Sequence, residues 1–120
     1  MRRAYGILPW GIIALGVLHM AAAWRRFDAL TPTAFWFFTG GLPLVFTGSV
    51  NLLNRAYGAV APGLRWFCRA MNVGMLGFTL AGGLVTRASG SELAIVCGLM
   101  GTITILSWMP STIGSGHRTV

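Results

Sequence analysis

Four long apolar stretches, separated by short segments rich in arginine, glycine and proline, dominate the chain. A helix needs about 20 apolar residues to cross the hydrocarbon of a bilayer. The stretches that reach or approach this length are residues 5–24, 34–53, 66–85 and 93–109. Because the connections are short, consecutive helices should be antiparallel neighbours. The pattern predicts an all-α protein whose residues 1–120 form one domain, a four-helix transmembrane bundle.

The composition agrees with a membrane location. Only 9% of the residues are charged and 55% are hydrophobic, whereas soluble domains carry about 25% charged residues. The net charge of +7 comes from arginines between apolar runs, with no basic stripe interleaved with aromatic residues. We therefore expect the lipid bilayer, with its anionic headgroups, to be the partner of these charges, and we expect no nucleic acid.

The distribution of arginines predicts the orientation. With the N-terminus inside, the inner segments hold six arginines and the outer loops hold three: Arg2, Arg3, Arg55, Arg65, Arg69 and Arg118 against Arg25, Arg26 and Arg87. Cytoplasmic loops carry the excess of positive charge, so both termini should lie in the cytoplasm. A difference of this size leaves dual topology open.

A cleaved signal peptide is the alternative for the first stretch. Arg2 and Arg3 precede the apolar run, and the alanines at residues 21–23 resemble a cleavage site. The run is long for a signal peptide, however, and Trp24 with two arginines follows it as an interfacial anchor would. We therefore expect a retained span.

His19 is the one ionisable residue clearly inside a predicted span, where such residues are costly and often functional. It shares a helix stripe with Gly16 and Ala23, opposite the bulky Trp10, Val17 and Trp24, so it should face the bundle interior.

Thr39 in the second span and Cys97 in the fourth lie at a similar depth to His19. Together the three residues form a candidate ligand or proton site that opens outward, since a neutral imidazole can take a proton. The structural alternative is a histidine hydrogen-bonded to Thr39 or to the carbonyl that Pro43 leaves without a donor.

Two further polar patterns predict helix contacts. Asn51 and Asn72 should hydrogen-bond across the second and third spans as a structural polar clamp on the cytoplasmic side, with Arg69 reaching towards headgroups. Ladders of small residues lie in the third span (Ala70, Gly74, Gly77 and Ala81) and the fourth (Gly90, Ala94, Gly98 and Thr102). We expect these ladders to pack the two helices together, the alternative being a homodimer seam.

Motifs of known chemistry are absent from the sequence. No acidic residue lies within a span, and there is no Ser/His/Asp set, Gly-rich phosphate loop or HExxH motif. Cys68 and Cys97 have no metal-binding spacing. The second histidine, His117, lies in the tail on the opposite side of the membrane from His19. We therefore predict no catalytic residue, no metal and no cofactor.

Two short motifs resemble a known kind of protein. The step Gly-Val-Leu-His at residues 16–19 and the sequence Ala-Phe-Trp-Phe-Phe-Thr-Gly-Gly at residues 34–41 are similar to those of uncharacterised short bacterial four-helix integral membrane proteins. The resemblance implies a multi-pass protein of the bacterial inner membrane and implies no known activity.

Three functional hypotheses follow from the sequence. The first is a non-enzymatic membrane protein, transporter-like or an accessory subunit, with an apolar or neutral ligand or the helices of a partner membrane subunit. The second is a membrane-bound enzyme or a redox or haem protein that uses His19. The third is a homodimer whose seam is the small-residue ladder of the fourth span.

Overall fold

The computed structural model describes residues 3–110, which form helices joined by short loops. The helices are α1 (Ala4–Arg26), α2 (Pro32–Thr39), α3 (Gly41–Tyr57), α4 (Pro62–Thr86) and α5 (Gly90–Trp108). Four spans are long and apolar enough to cross a membrane, the second being α2 and α3 together. The predicted all-α four-helix bundle is confirmed. Arg2, Arg118, His117 and the rest of the tail at residues 111–120 lie outside the described residues.

Helix boundaries follow local chemistry. The Thr31 hydroxyl accepts the Ala34 N–H at the start of α2, and Pro62 begins α4, a position where a missing N–H costs nothing. At the start of α5 the Ser89 hydroxyl accepts the Glu92 N–H while the Glu92 carboxylate accepts the Ser89 N–H. This capping box satisfies two amides that a helix start leaves without partners.

The antiparallel spans have two ends, which we name after one residue each. The Tyr5 end contains the starts of α1 and α4 and the ends of α3 and α5. The Trp24 end contains the end of α1, all of α2, the end of α4 and the start of α5. The two candidate sites described below lie at these opposite ends.

The second span is divided at Gly40 into two helices, α2 and α3. The Gly40 N–H donates to the carbonyls of Trp36 and Phe37, which closes α2, and α3 begins at Gly41. Pro43 then falls in the first turn of α3, where a backbone N–H has no partner within its own helix. The break turns α2 into a separate short helix beside the end of α1.

Close backbone contact joins α1 to α3. A Cβ atom on Gly16 would lie 2.7 Å from the Gly41 carbonyl oxygen, and one on Gly48 would lie 2.6 Å from the Pro9 carbonyl oxygen. Only glycine leaves room for helices this close. Around these contacts the core is apolar, with Ile12, Leu44, Met100, Ile103 and Leu106 buried.

The small-residue ladders do not make such contacts. A Cβ atom added to Gly74, Gly77, Gly90 or Gly98 would meet nothing within 4 Å, and Ala70, Ala81, Ala94 and Thr102 are exposed. The prediction that these ladders pack the third and fourth spans together is therefore wrong. The helices α4 and α5 meet through other residues, such as Gly83 against Leu93, and the homodimer seam stays a prediction.

Exposure of the first span follows the predicted stripes. Trp10, Val17 and Trp24 are 61%, 50% and 88% exposed, whereas Gly16 and Ala23 are buried. A contiguous stripe of exposed bulky apolar side chains marks a surface that packs against a membrane or a partner. This face of α1 is therefore suited to lipid.

Candidate functional site

Five side chains from three helices form a buried polar group at the Tyr5 end, which we call the asparagine cluster. Its members are Tyr5, Asn51, Asn54, Cys68 and Asn72, and each has an exposed fraction of 0%. Side chains at positions i and i+3 or i+4 of a helix lie on the same face. Asn51 and Asn54 of α3 therefore point to the same side, as do Cys68 and Asn72 of α4.

Asn51 is the hub of this cluster. Its amide nitrogen donates to the Asn72 side-chain oxygen (2.7 Å) and to the Thr47 carbonyl oxygen (2.8 Å). Its amide oxygen accepts from the Tyr5 hydroxyl (2.8 Å), the Asn72 amide (3.0 Å) and the Cys68 thiol (3.3 Å). The two asparagines that the sequence paired thus donate to each other in a reciprocal amide pair.

Asn54 is bound on one side only. Its amide nitrogen donates to the Tyr5 hydroxyl at 2.9 Å, while its side-chain oxygen is buried without a hydrogen-bond partner among the described residues. That oxygen lies against Gly58, where any Cβ atom would overlap it. Since the other polar atoms of the cluster are bonded to each other, the cluster is a structural joint with little capacity to bind a solute.

Arg69 closes the Tyr5 end beside the cluster. Its guanidinium lies 5.0 Å from the ring centre of Trp66 and 4.6 Å from that of Trp108, and it donates to the backbone carbonyls of Ser107 (3.3 Å) and Trp108 (3.5 Å). Those carbonyls end α5, so the cation satisfies groups that helix ends leave free. The sequence predicted that Arg69 reaches headgroups; the structure instead holds it between two tryptophans.

His19 lies at the Trp24 end, against the break in the second span. Its Nε2 atom is 2.9 Å from the Phe37 carbonyl oxygen. Because a carbonyl only accepts, Nε2 must carry the proton. A Cβ atom on Gly40 would lie 3.2 Å from Nε2, so the glycine leaves room for the ring. The hydrogen bond ties α1 to the last turn of α2.

Neither Thr39 nor Cys97 is bonded to His19. The Thr39 hydroxyl donates to the Trp36 carbonyl oxygen, and Cys97 is a free, half-buried cysteine of α5. Within residues 3–110 no group of three or more His, Cys, Asp and Glu side chains could hold a metal ion. The predicted three-residue site stays a prediction; His19 and Thr39 are each bonded to a backbone carbonyl of α2 rather than to one another.

An aromatic stack links His19 to the surface. Its ring lies parallel to Phe37 with centroids 4.4 Å apart, and Phe37 meets the edge of Phe27 at 5.6 Å. The Arg26 guanidinium lies 5.8 Å from the centre of the Phe37 ring. The His19 ring therefore packs against Phe37, and Phe37 packs against Phe27, which lines a groove.

Two adjoining grooves lie where α1 meets α2. The larger, which we call the Phe27 groove, has a volume of about 540 Å³ and is lined by Ala23, Trp24, Phe27, Asp28, Ala29, Leu30, Ala34, Phe35 and Phe38. The second, the Arg25 groove, has about 480 Å³ and is lined by Met20, Ala21, Trp24, Arg25 and Phe38. Trp24 and Phe38 separate the two, and the residues around them are mostly apolar.

Comparison with known proteins identifies no relative of this chain. No protein-family model matches the chain, and neither a curated protein nor a solved structure matches it. The grooves and the asparagine cluster are therefore the features that bear on the function.

Sequence reasoning missed the residues that line the Phe27 groove. The predicted site was placed around His19, whereas the groove lies one aromatic layer further out, on the loop at residues 27–31 and on α2. The available signal was the density of aromatic residues in α2 next to Asp28. Aromatic residues at a span end are common as interfacial anchors, so that signal alone does not indicate a groove.

Proposed function

We propose that the protein is a non-catalytic membrane protein that binds an apolar or amphiphilic small molecule in the Phe27 groove. The observation that carries this proposal is the groove itself, which has a volume of about 540 Å³. Small-molecule sites are mostly apolar clefts of about 300–1,000 Å³ with a few polar groups that fix orientation. Asp28 supplies such a group among aromatic walls.

The bundle interior supports the same choice. Apart from the Asn54 side-chain oxygen, the polar side-chain atoms of the asparagine cluster bond to each other, and His19 donates to the Phe37 carbonyl. A path for a polar solute needs polar groups that can exchange partners along its length. The alternative of a membrane-bound enzyme or redox protein using His19 stays a prediction, since a proton on Nε2 leaves Nδ1 as the basic nitrogen of the ring.

We further propose a location in the bacterial inner membrane with both termini in the cytoplasm. Among the described residues, Arg3, Arg55, Arg65 and Arg69 belong to the Tyr5 end, and Arg25, Arg26 and Arg87 belong to the Trp24 end. The excess of arginine at the Tyr5 end supports a cytoplasmic position for it. The Phe27 groove would then face the periplasmic leaflet.

Photo-crosslinking in proteoliposomes tests the binding proposal. Hexadecanol carrying a diazirine, added at low density, should label the peptide that contains Phe27 and Leu30 more strongly than the exposed apolar residues of α4. Replacing Ala29 with Trp should fill the groove and remove most of that labelling. Ala29 is exposed on the loop, so the larger side chain disturbs no core contact.

Ala81 provides the matched control. It is exposed on α4, outside both grooves, so Ala81→Trp adds the same side chain to a lipid-facing surface. This variant should leave the labelling of the Phe27 peptide unchanged. Equal labelling of Ala29→Trp and the wild type would show that the groove is not a binding site and would overturn the proposal.

A further inference from the structure

We infer that the ligand of the Phe27 groove is a phospholipid whose headgroup carries both a primary ammonium and a phosphate, an inference that rests on the proposed function. The Phe27 groove and the Arg25 groove share Trp24 and Phe38, and each has one charged lining residue. The Phe27 groove contributes a carboxylate and the Arg25 groove contributes a guanidinium. A zwitterionic headgroup complements both signs at once.

Asp28 is the carboxylate available for an ammonium group. The chain has two acidic residues, and the other, Glu92, is used in the capping box of α5. Asp28 is exposed on the wall of the groove and forms no hydrogen bond or ion pair with any residue in the part of the chain that the structure describes. A carboxylate in this position can accept one or two N–H bonds from a primary ammonium.

Arg25 is the cation available for a phosphate. It is exposed, and it lines the groove that shares Trp24 and Phe38 with the Phe27 groove. Its neighbour Arg26 instead lies over the Phe37 ring. A guanidinium can bind phosphate oxygens through two parallel N–H bonds.

The remaining walls suit acyl chains. Leu30 and Phe35 are 85% and 53% exposed, and Trp24 is 88% exposed. Tryptophan favours the headgroup level of a bilayer, which places chains on one side of the ring and a headgroup on the other. Asp28 would repel a purely anionic lipid and Arg25 would repel a cationic amphiphile, so a zwitterion is the ligand that neither charge disfavours.

Lipid titrations followed by native mass spectrometry test this inference. The protein in a neutral detergent is titrated with phosphatidylethanolamine, phosphatidylcholine or phosphatidylglycerol, all with dioleoyl chains. We expect phosphatidylethanolamine to bind about tenfold more tightly than either of the others, as a charge-assisted hydrogen bond predicts. The trimethylated ammonium of phosphatidylcholine has no N–H to donate, and phosphatidylglycerol has no cation for Asp28.

Each charge has a matched control at the same end of the bundle. Asp28→Asn should lower the affinity for phosphatidylethanolamine to that for phosphatidylcholine, whereas Glu92→Gln removes one negative charge, keeps the capping box and should change nothing. Arg25→Gln should weaken the binding of both phosphatidylethanolamine and phosphatidylglycerol. Arg87 lies outside both grooves, so Arg87→Gln should leave the affinity for both lipids unchanged. Soluble glycerophosphoethanolamine should not displace the lipid, because it lacks the chains that the groove binds.

The outcomes separate this inference from the proposed function. Equal affinity for the three lipids, or full selectivity in Asp28→Asn, would overturn the headgroup assignment. If Ala29→Trp still abolished binding of all three, the groove would remain the binding site and the proposed function would stand. Displacement by glycerophosphoethanolamine would identify a soluble zwitterion as the ligand and contradict the lipid. Binding unaffected by Ala29→Trp would overturn both.

Discussion

A buried amide side chain is valuable at the scale of a single residue because it both donates and accepts. Asn51 uses all of this capacity, with two donated and three accepted hydrogen bonds. In lipid, an unpaired polar group has no water to replace its partner. The residue therefore holds α1 and α4 to α3 through geometry that an apolar side chain could not reproduce.

Removing the hub should be costly. Asn51→Ala leaves Tyr5 and Asn72 without their main partner, and interhelical hydrogen bonds in membranes contribute about 0.6 kcal/mol each on average and up to about 1.7. We expect the free energy of unfolding to fall by roughly 2 kcal/mol, since several bonds are lost together. Steric-trap unfolding in bicelles measures this quantity.

Ser49 provides the comparison for this prediction. Its hydroxyl donates to the Val45 carbonyl within the same helix, so Ser49→Ala removes a polar group without separating two helices. This variant should change the free energy of unfolding by less than about 0.5 kcal/mol. Equal effects of the two substitutions would mean that the asparagine cluster does not join the helices.

Part of this cluster could be predicted from the sequence, and part could not. Asn51 and Asn72 end and begin consecutive spans, so a short loop places them at the same depth and within reach. Tyr5 has no such constraint, because an aromatic residue at the first position of a span is typical of an interfacial anchor. Its contact with Asn54 depends on how closely α1 approaches α3, and hydropathy does not encode that distance.

At the scale of helices, the glycines that matter are those at which backbones meet. Gly16, Gly41 and Gly48 lie on the face between α1 and α3, and each would overlap the facing helix if it carried a Cβ atom. The ladders of α4 and α5 have the same spacing but face outward. Spacing predicts that a stripe of small residues exists; it does not predict which helix, if any, covers the stripe.

A pair of alanine substitutions distinguishes these two classes of glycine. Gly48→Ala places a methyl group against the Pro9 carbonyl and Ile13, which should lower the free energy of unfolding by about 1–3 kcal/mol through overpacking. Gly74→Ala meets nothing within 4 Å and should be neutral or stabilising by up to about 1 kcal/mol, because alanine favours a helix. Thermal unfolding followed by circular dichroism in one detergent provides the measurement. A destabilised Gly74→Ala variant with an unaffected Gly48→Ala would contradict the α1–α3 interface.

The break in the second span shows what a local motif can and cannot predict. Gly40, Gly41 and Pro43 together indicate a weak point in a helix. The His19 Nε2–H of α1 donates to the Phe37 carbonyl and holds the last turn of α2 beside α1. A histidine from another helix is a tertiary partner, so the sequence of the second span alone does not contain the outcome.

On the scale of the whole molecule, burial is uneven among the spans. Only 11% of the apolar window of α4 is buried, against 22% to 28% in the other three spans. The helix α4 is held at its start by the asparagine cluster and by Arg69 with two tryptophans, and at its end by Gly83 against Leu93. In its middle, Met75 and Leu76 pack against the core, whereas the ladder glycines Gly74 and Gly77, where the sequence predicted a helix contact, face open space.

Orientation is the whole-molecule property with the sharpest test. A C-terminal alkaline phosphatase fusion, active only outside the cytoplasm, should have little activity, and a fusion after Ala29 should have much more. The reason is the arginine excess at the Tyr5 end. High activity of the C-terminal fusion would reverse the proposed orientation, and substantial activity of both would indicate dual topology.

The asparagine cluster also has a consequence for biosynthesis. Tyr5, Asn51 and Asn54 are made and inserted before Cys68 and Asn72 leave the ribosome, so the nascent chain holds polar side chains in lipid with only part of their network formed. A chain that stops after Tyr57 should therefore be recognised and degraded by membrane proteases faster than one that stops after Arg87. We expect the addition of α4, which supplies Cys68 and Asn72, to protect the nascent protein from these proteases, and pulse-chase labelling of the two truncated chains measures the difference.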